Sequence, residues 1–200
     1  MKPERSNDKR NEASEQPQWY VMRDLKRANA KLPAYRQLQS ECFEVFTPMK
    51  WRLTTIGGKQ YREKVPYIRD LLFVHAKTSD LDIVVEKTPT LQYRFVKGKA
   101  YREAMTVGET EMNTFIRAVS SGEALHYYMP NEITSSMYGK RVRIIGGELN
   151  RYEGYLLKAQ GSKKKRVIVE LPSLLIAAIE VTPDFIEILN ESGTESIVKI

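Results

Sequence analysis

Hydrophobic positions in residues 18–120 change period several times, and each change marks a different predicted element. Trp19 to Met22 is an aromatic and β-branched run typical of a strand, and helical spacing from Pro33 to Cys42 predicts a short helix. Leu71 to His75 is continuously apolar, as in a strand buried on both faces. This order of strands and helices predicts an α+β sandwich with helices on one face of a mixed or antiparallel sheet. A final helix is indicated by apolar residues at i, i+3, i+4 and i+7, namely Met112, Phe115, Ile116 and Val119.

Between these elements the chain predicts a basic hairpin and one more helix. Alternating runs at Trp51–Thr55 and Tyr61–Val65 flank Gly57-Gly58, and a glycine pair supplies the positive φ angles that a tight turn needs. Farther along the chain, Ser79 with Asp82 resembles a capping box that opens a short helix, and a further alternating strand follows it. The cations of the predicted hairpin are Lys50, Arg52, Lys59, Arg62 and Lys64.

After residue 120 the composition changes, first to turn-forming residues and then to short strands. Residues 121–136 contain Ser, Pro and Asn clusters and predict a linker, and five short strands with glycine-rich turns in 137–190 predict a small barrel. The run 171–179 contains enough Leu and Ala to form a helix, although its β-branched residues favour strands. Residues 1–17 are mostly polar and charged and predict a disordered tail, and 191–200 form a second tail.

The net charge of the 200-residue chain is +7, and all of it lies in one segment. Residues 18–120 contain 18 basic and 11 acidic residues, whereas the segments before and after them are neutral. A basic unit between two neutral ones indicates a polyanion or an acidic protein surface as its partner. A solvated face with a chance imbalance of charge explains the same numbers.

The composition argues against several classes of function. No run approaches the roughly 18 apolar residues of a membrane span, and the N-terminus lacks the apolar core of a secretion signal, so we expect a cytoplasmic protein without a membrane partner. The single cysteine, Cys42, excludes an internal disulfide and a cysteine-based zinc site. His75 follows a predicted buried strand, where a structural role is expected, and His126 has no acid or nucleophile at a catalytic spacing. We therefore expect no enzyme activity, no metal and no cofactor.

Residues 139–156 resemble a KOW motif, in which two strands are joined by a tight glycine-dependent turn. Gly139-Lys140-Arg141-Val142-Arg143-Ile144-Ile145-Gly146-Gly147 is followed by Tyr152-Glu153-Gly154-Tyr155-Leu156. The resemblance implies an SH3-like barrel in which Gly146, Gly147 and Gly154 shape the turn. Arg151 stands where the motif usually has another glycine, which leaves Asn150 as the residue best able to adopt a positive φ.

The first half of the chain resembles the N-terminal (NGN) domain of NusG-family transcription elongation factors. The similarity lies in Trp19-Tyr20-Val21, in the basic connection, helix and hairpin that follow, and in the segment Val65–Val74. With the KOW-like segment it covers 18–120 and 137–190, in the family's domain order. The family's proline-glycine pair before the central strand is Arg69-Asp70 here, which points to a specialised paralogue similar to the UpxY-type antiterminators of surface-polysaccharide operons.

The resemblance implies a transcription antitermination or elongation factor that binds the clamp helices of RNA polymerase and promotes processive transcription. Its contact surface would be an apolar sheet face turned away from the helices, since large exposed apolar patches mark interaction sites. A role in the core explains each of these side chains equally well. The implied contact residues are Val21, Ile68, Leu71, Phe73, Tyr93 and Phe95.

Two basic segments are candidates for nucleic-acid binding. The resemblance places Lys26 and Arg27 beside the upstream fork and the non-template DNA strand, where lysine and arginine contact phosphates without reading sequence. A solvated face explains these two residues equally well. The nucleic-acid partner of the protein would be non-template DNA or nascent RNA. The run Lys163, Lys164, Lys165 and Arg166 is either a solvated loop or an RNA contact, and the KOW domain's partner would be a ribosome or a termination factor. The alternative function is therefore a KOW-containing RNA-binding or ribosome-associated protein.

Overall fold

The computed structural model describes residues 16–26, 31–98, 102–121, 125–147, 149–158, 165–181, 185–189 and 196–198. The chain divides into two compact units, residues 1–109 and 110–200. The described residues form a mixed α+β structure with antiparallel sheets. Its three α-helices are α1 (Ala34–Ser40), α2 (Thr78–Lys87) and α3 (Glu109–Ser121).

The strands of the first unit form a central antiparallel sheet and a separate hairpin. The central sheet has the order β2-β5-β1-β6, and β7 also pairs with β1. Strands β3 and β4 pair only with each other among the described residues, and they are joined at Gly57-Gly58 as the sequence predicts. The strands are β1 (Gln18–Asp24), β2 (Glu44–Phe46), β3 (Met49–Ile56), β4 (Lys59–Pro66), β5 (Leu71–Ala76), β6 (Leu91–Tyr93) and β7 (Thr106–Val107).

One face of the central sheet packs against α1 and α2, because alternate strand residues share a face. Tyr20 and Met22 of β1 join Leu72 of β5 in one cluster, which Leu38 of α1 and Leu81 of α2 complete. Full burial of a leucine contributes about 1.5–3 kcal/mol, so these contacts hold both helices on the sheet. The prediction that these helices cover one sheet face is confirmed for α1 and α2.

The starts of both helices depend on residues that are distant in sequence. Asp24, which is 9% exposed, accepts the backbone N–H of Ala34 at 2.7 Å and that of Lys26 at 2.9 Å, so it caps α1 from the end of β1. The predicted Ser79 capping box is wrong. Helix α2 begins at Thr78, whose hydroxyl contacts the Tyr20 hydroxyl at 2.7 Å, and its first turn is thereby tied to the sheet.

The second unit contains one seven-stranded antiparallel sheet of order β14-β13-β9-β10-β11-β12-β8. Residues 166–180 form the β11–β12 hairpin, which excludes the helical alternative for this segment. Its residues Ile168, Ile176 and Ala178 are buried in one cluster. The strands are β8 (Leu125–Tyr128), β9 (Tyr138–Ile145), β10 (Glu153–Leu157), β11 (Arg166–Leu171), β12 (Leu175–Glu180), β13 (Phe185–Ile188) and β14 (Ser196–Val198).

Two segments predicted to lie outside the domains contribute strands to this sheet. The predicted linker 121–136 contains β8, which pairs with β12 from Ile176↔Tyr128 to Ile179↔Leu125. The predicted tail 191–200 contains β14, which pairs with β13. The predicted N-terminal tail lies outside the described residues except for its last two positions.

Candidate functional site

Three of the six predicted polymerase contacts lie together on the sheet face opposite α1 and α2. Val21 pairs directly with Phe73, and Leu71 lies two residues before Phe73 on the same strand. Their exposed fractions are 0%, 0% and 2%, so the expectation that this face is open is wrong. Phe46 contributes to its packing, with its ring centroid 6.1 Å from that of Phe73. In this structure the three residues are core residues.

The aromatic residues at the other edge of the sheet face the opposite way. Tyr93 pairs directly with Met22, and its ring centroid lies 5.5 Å from that of Tyr20 in a T-shaped arrangement. Its hydroxyl donates to Asp82 at 2.8 Å, and burial raises the pKa of Tyr93. Because directly paired cross-strand residues share a face, Tyr93 belongs to the helix-covered side rather than to the side of Val21.

The last two predicted contacts are at least partly accessible. Phe95 is 40% exposed and bridges to Ala104, which packs against the helix-covered cluster. Ile68 is half-buried in the turn before β5. The six residues therefore do not form a single patch, since strand pairing divides them between two faces and a turn.

His75 has a structural place beside the buried sheet face. Its ring stacks on Trp19 with centroids 5.0 Å apart, Nδ1 is 2.9 Å from Glu44, and Nε2 is 3.2 Å from Glu109. Both ring nitrogens are therefore engaged by carboxylates. The described contacts of His75 join β5 to β1, β2 and the start of α3, and they include no nucleophile.

The basic candidates have different surroundings. The Lys26 ammonium donates to the Leu32 carbonyl at 3.1 Å and to Gln37 at 2.8 Å, so it fastens the segment that leads into α1. Lys165 is exposed, and Arg166 is half-buried. The other predicted nucleic-acid contacts, Arg27, Lys163 and Lys164, lie outside the described residues.

The turn between β9 and β10 has the glycine conformations that the KOW-like pattern predicts. Gly146 and Gly147 have φ values of 92° and 64°, a region that glycine adopts at little cost. The prediction for Asn150 is wrong, because Arg151 has the positive φ, at 67°. The Asn150 side chain instead accepts the backbone N–H of Gly146 at 2.9 Å and closes the turn.

Replacing Arg151 by glycine should stabilise the protein, because a left-handed conformation costs a residue with a Cβ about 1–2 kcal/mol, less the greater chain entropy of glycine. We expect a net gain of about 0.5–1 kcal/mol in the free energy of unfolding, measured by urea denaturation. Arg151→Ala is the control, since alanine removes the guanidinium but keeps the strain. Equal stability of the two variants would contradict the prediction.

Charged and tyrosine side chains connect the strands around this turn. Arg143 donates to Glu153 at 2.8 Å and to the buried Glu187 at 2.9 Å, and the hydrogen bond to Arg143 is the main reason that the pKa of Glu153 is lowered. Tyr138 donates to Glu170 at 2.7 Å, which raises the pKa of Tyr138 to about 12. These contacts span strands β9, β10, β11 and β13, so they are suited to holding the sheet.

The hairpin β3–β4 carries the functional candidates that the sequence predictions missed. Its exposed large hydrophobic side chains are Trp51, Leu53, Ile56 and Tyr61. The sequence did show a signal, since cations alternate with aromatic and aliphatic residues along both strands. Strand pairing was needed to show which of these side chains share a face.

The described part of the chain has neither a cluster of metal ligands nor a membrane-spanning helix. There, no three His, Cys, Asp or Glu side chains come together as metal ligands. None of the helices described is long and apolar enough to cross a membrane.

The fold and these sites define a two-unit chain, with a mixed α+β first unit and an antiparallel sheet in the second. No protein-family model matches the chain, and no curated protein matches it. Among solved structures, the chain is similar to one described as "Domain interaction in Thermotoga maritima NusG", at 13% sequence identity and a TM-score of 0.46. The match covers 88% of this chain and 99% of that chain. A likeness at this level identifies neither the family nor the function.

Proposed function

We propose that this chain is a NusG-like transcription elongation or antitermination factor that binds the clamp helices of RNA polymerase and promotes processive transcription. The pair Arg69-Asp70 stands before β5 where the family has proline-glycine, and this departure favours a factor that acts on a dedicated set of genes, such as surface-polysaccharide operons. The protein acts in the cytoplasm by binding, without catalysis or a cofactor. Its second unit recruits a further partner, such as a ribosome or a termination factor.

The observation that carries the proposal is the order of two sequence resemblances along one chain. The NGN-like segments around Trp19–Val21 and Val65–Val74 come first, and the KOW-like segment 139–156 follows. Their local structure agrees with this reading, since β1 and β5 are neighbours in one antiparallel sheet and Gly146-Gly147 turns the chain between β9 and β10. Either pattern alone is common, and the two in this order are much more specific.

Affinity purification of the full-length chain from its native cells tests this function. We expect the large subunits of RNA polymerase and nascent transcripts among the bound molecules. Phe95→Asp should reduce the recovered polymerase roughly tenfold or more, as the loss of a central contact residue does at an interface. Phe95 is chosen because it is the most exposed of the predicted contacts.

Ile83→Asp provides the matched control for this purification. Ile83 is 52% exposed on α2 and is not among the predicted contacts, so its substitution adds the same charge elsewhere on the first unit. We expect it to leave polymerase recovery unchanged. Recovery of ribosomal RNA and ribosomal proteins without polymerase subunits would contradict the proposal and support the ribosome-associated alternative.

A further inference from the structure

The β3–β4 hairpin presents one face whose members follow from its register. Trp51 pairs with Lys64, Leu53 with Arg62, and Thr55 with Gln60, and directly paired residues share a face. All six side chains are exposed. We call this surface the Trp51 face, and its members are Trp51, Leu53, Thr55, Gln60, Arg62 and Lys64.

The Trp51 face keeps large apolar side chains in water. Trp51 is 57% exposed and Leu53 is 66% exposed, although burial of such side chains is worth about 1.5–3 kcal/mol each. The described pairing of β3 and β4 is confined to this two-stranded hairpin, and a two-stranded sheet has no core of its own. Exposed apolar side chains that are grouped on one face mark interaction sites.

The charge of the Trp51 face is entirely positive. It carries Arg62 and Lys64 and no carboxylate, whereas the acidic residue of the hairpin, Glu63, lies on the opposite face. There Glu63 pairs with Arg52 at 2.6 Å, and hydrogen bonds from Thr54 and Arg52 lower the pKa of Glu63. The only hairpin carboxylate is thus engaged away from the Trp51 face.

The two cations of this face lie over the aromatic ring in the free protein, at the place that a stacked base would take. The Arg62 guanidinium carbon is 4.9 Å from the centroid of the Trp51 ring, and the Lys64 ammonium nitrogen is 5.3 Å from it. Such cation–π contacts hold the charges next to the ring in the free protein. An aromatic plane with adjacent cations is the arrangement that stacks a nucleobase while contacting its phosphates.

We propose that the Trp51 face binds single-stranded nucleic acid, with a base stacked on Trp51 and backbone phosphates contacted by Arg62 and Lys64. Leu53 extends the apolar surface by one paired position along the strand. The chemistry favours a single strand because its bases expose their faces, whereas bases within a duplex are stacked on one another. The charges of this face are all positive and therefore complement phosphates, and its aromatic ring can stack on a planar ring. The ligand that fits both properties is a polyanion that also carries planar rings.

This inference stands apart from the proposed polymerase binding, because naked oligonucleotides test it. The full-length protein is titrated into fluorescein-labelled single-stranded (dT)15, (U)15 and a 15-base-pair DNA duplex, and anisotropy reports the Kd. We expect both single strands to bind more tightly than the duplex, and their ratio separates a DNA site from an RNA site. Because alanine replacement of a stacking residue weakens binding roughly 5- to 150-fold per base, we expect this loss in Trp51→Ala.

Three further variants separate stacking from general charge and from damage to the fold. Tyr61→Ala removes an exposed aromatic from the opposite face of the same hairpin, and we expect it to leave the Kd unchanged. Trp51→Phe keeps an aromatic plane, and we expect it to restore most of the affinity lost in Trp51→Ala. The double substitution Arg62→Gln with Lys64→Gln should lower the slope of log K against log salt by about 1.4, since each single-strand phosphate contact contributes about 0.7.

Tryptophan fluorescence gives an independent readout, because the chain has two tryptophans and Trp19 is only 1% exposed. Stacking of a base on Trp51 should quench the emission of the native chain, and the quenching should disappear in Trp51→Phe. Equal losses of affinity in Trp51→Ala and Tyr61→Ala would overturn the proposal. Duplex binding as tight as single-strand binding would also overturn it. So would the absence of oligonucleotide binding, which would favour an acidic protein partner for this face.

Discussion

Replacing Phe73 by aspartate should unfold the first unit of the protein rather than only block a binding surface. Phe73 is fully buried in the central strand β5, opposite Val21 and near Phe46. Removing a buried phenylalanine costs about 3–5 kcal/mol, and an unpaired buried charge adds to that loss. Because a domain is stable by only about 5–15 kcal/mol, we expect the loss of most or all of its stability.

Urea denaturation followed by the fluorescence of Trp19, in a Trp51→Phe background, measures this effect near the substituted strand. Phe73→Ala keeps the measurement quantitative if the aspartate variant is wholly unfolded. Phe95→Asp is the matched control, because Phe95 is 40% exposed and surface substitutions change stability by only about 0.5 kcal/mol. An unfolding midpoint for Phe73→Asp equal to that of the native protein would contradict the assignment of Phe73 to the core and would indicate an accessible contact residue.

Gly154→Ala should destabilise the second unit by about 1–3 kcal/mol, because the site has no room for a methyl group. A Cβ at Gly154 would lie 2.7 Å from a ring carbon of Tyr152 and 2.9 Å from the carbonyl oxygen of Ile168. Tyr152 cannot easily give way, since its hydroxyl donates to that same carbonyl at 2.9 Å. Thermal unfolding measures the loss, at roughly 4–8 °C per kcal/mol for a unit of this size.

Gly147→Ala distinguishes crowding from backbone strain. A Cβ at Gly147 meets no atom within 4 Å, but its φ of 64° is unfavourable for alanine, so we expect a loss of about 1 kcal/mol. The Gly154 variant should therefore be the less stable of the two. The opposite order would mean that the Tyr152 and Ile168 contacts yield easily, and that Gly154 matters little to the turn.

The predicted polymerase contacts differ in burial, and this determines whether their substitution reports lost binding or lost folding. Val21, Leu71 and Phe73 are core residues, so lost binding in their variants reports lost folding as well. Phe95, with its larger exposed fraction, tests the proposed contact more directly. A charge-reversing substitution of Lys26 would also report damage to the fold, because the Lys26 ammonium holds the segment before α1 in place.

The elements that could be predicted from sequence are those with a strong local period. The β3–β4 hairpin follows from two alternating runs around Gly57-Gly58, and β5 from an uninterrupted apolar run. The choice of strands over a helix in 166–180 followed from its β-branched residues. Strand β8 was missed because Leu125–Tyr128 is short and lies among turn-forming residues, and its edge position depends on pairing with β12.

The sequence by itself determined the alternation of strands and helices, the basic character of the first half and the glycine turn between β9 and β10, because composition and period are properties of neighbouring residues. Only the tertiary structure decided that both faces of the central sheet are buried, that Tyr93 faces away from Val21, and that the Trp51 face has no carboxylate. It also decided the cap that Asp24 provides at Ala34. Each of these depends on contacts between residues far apart along the chain, which strand register and packing bring together and which no local pattern encodes.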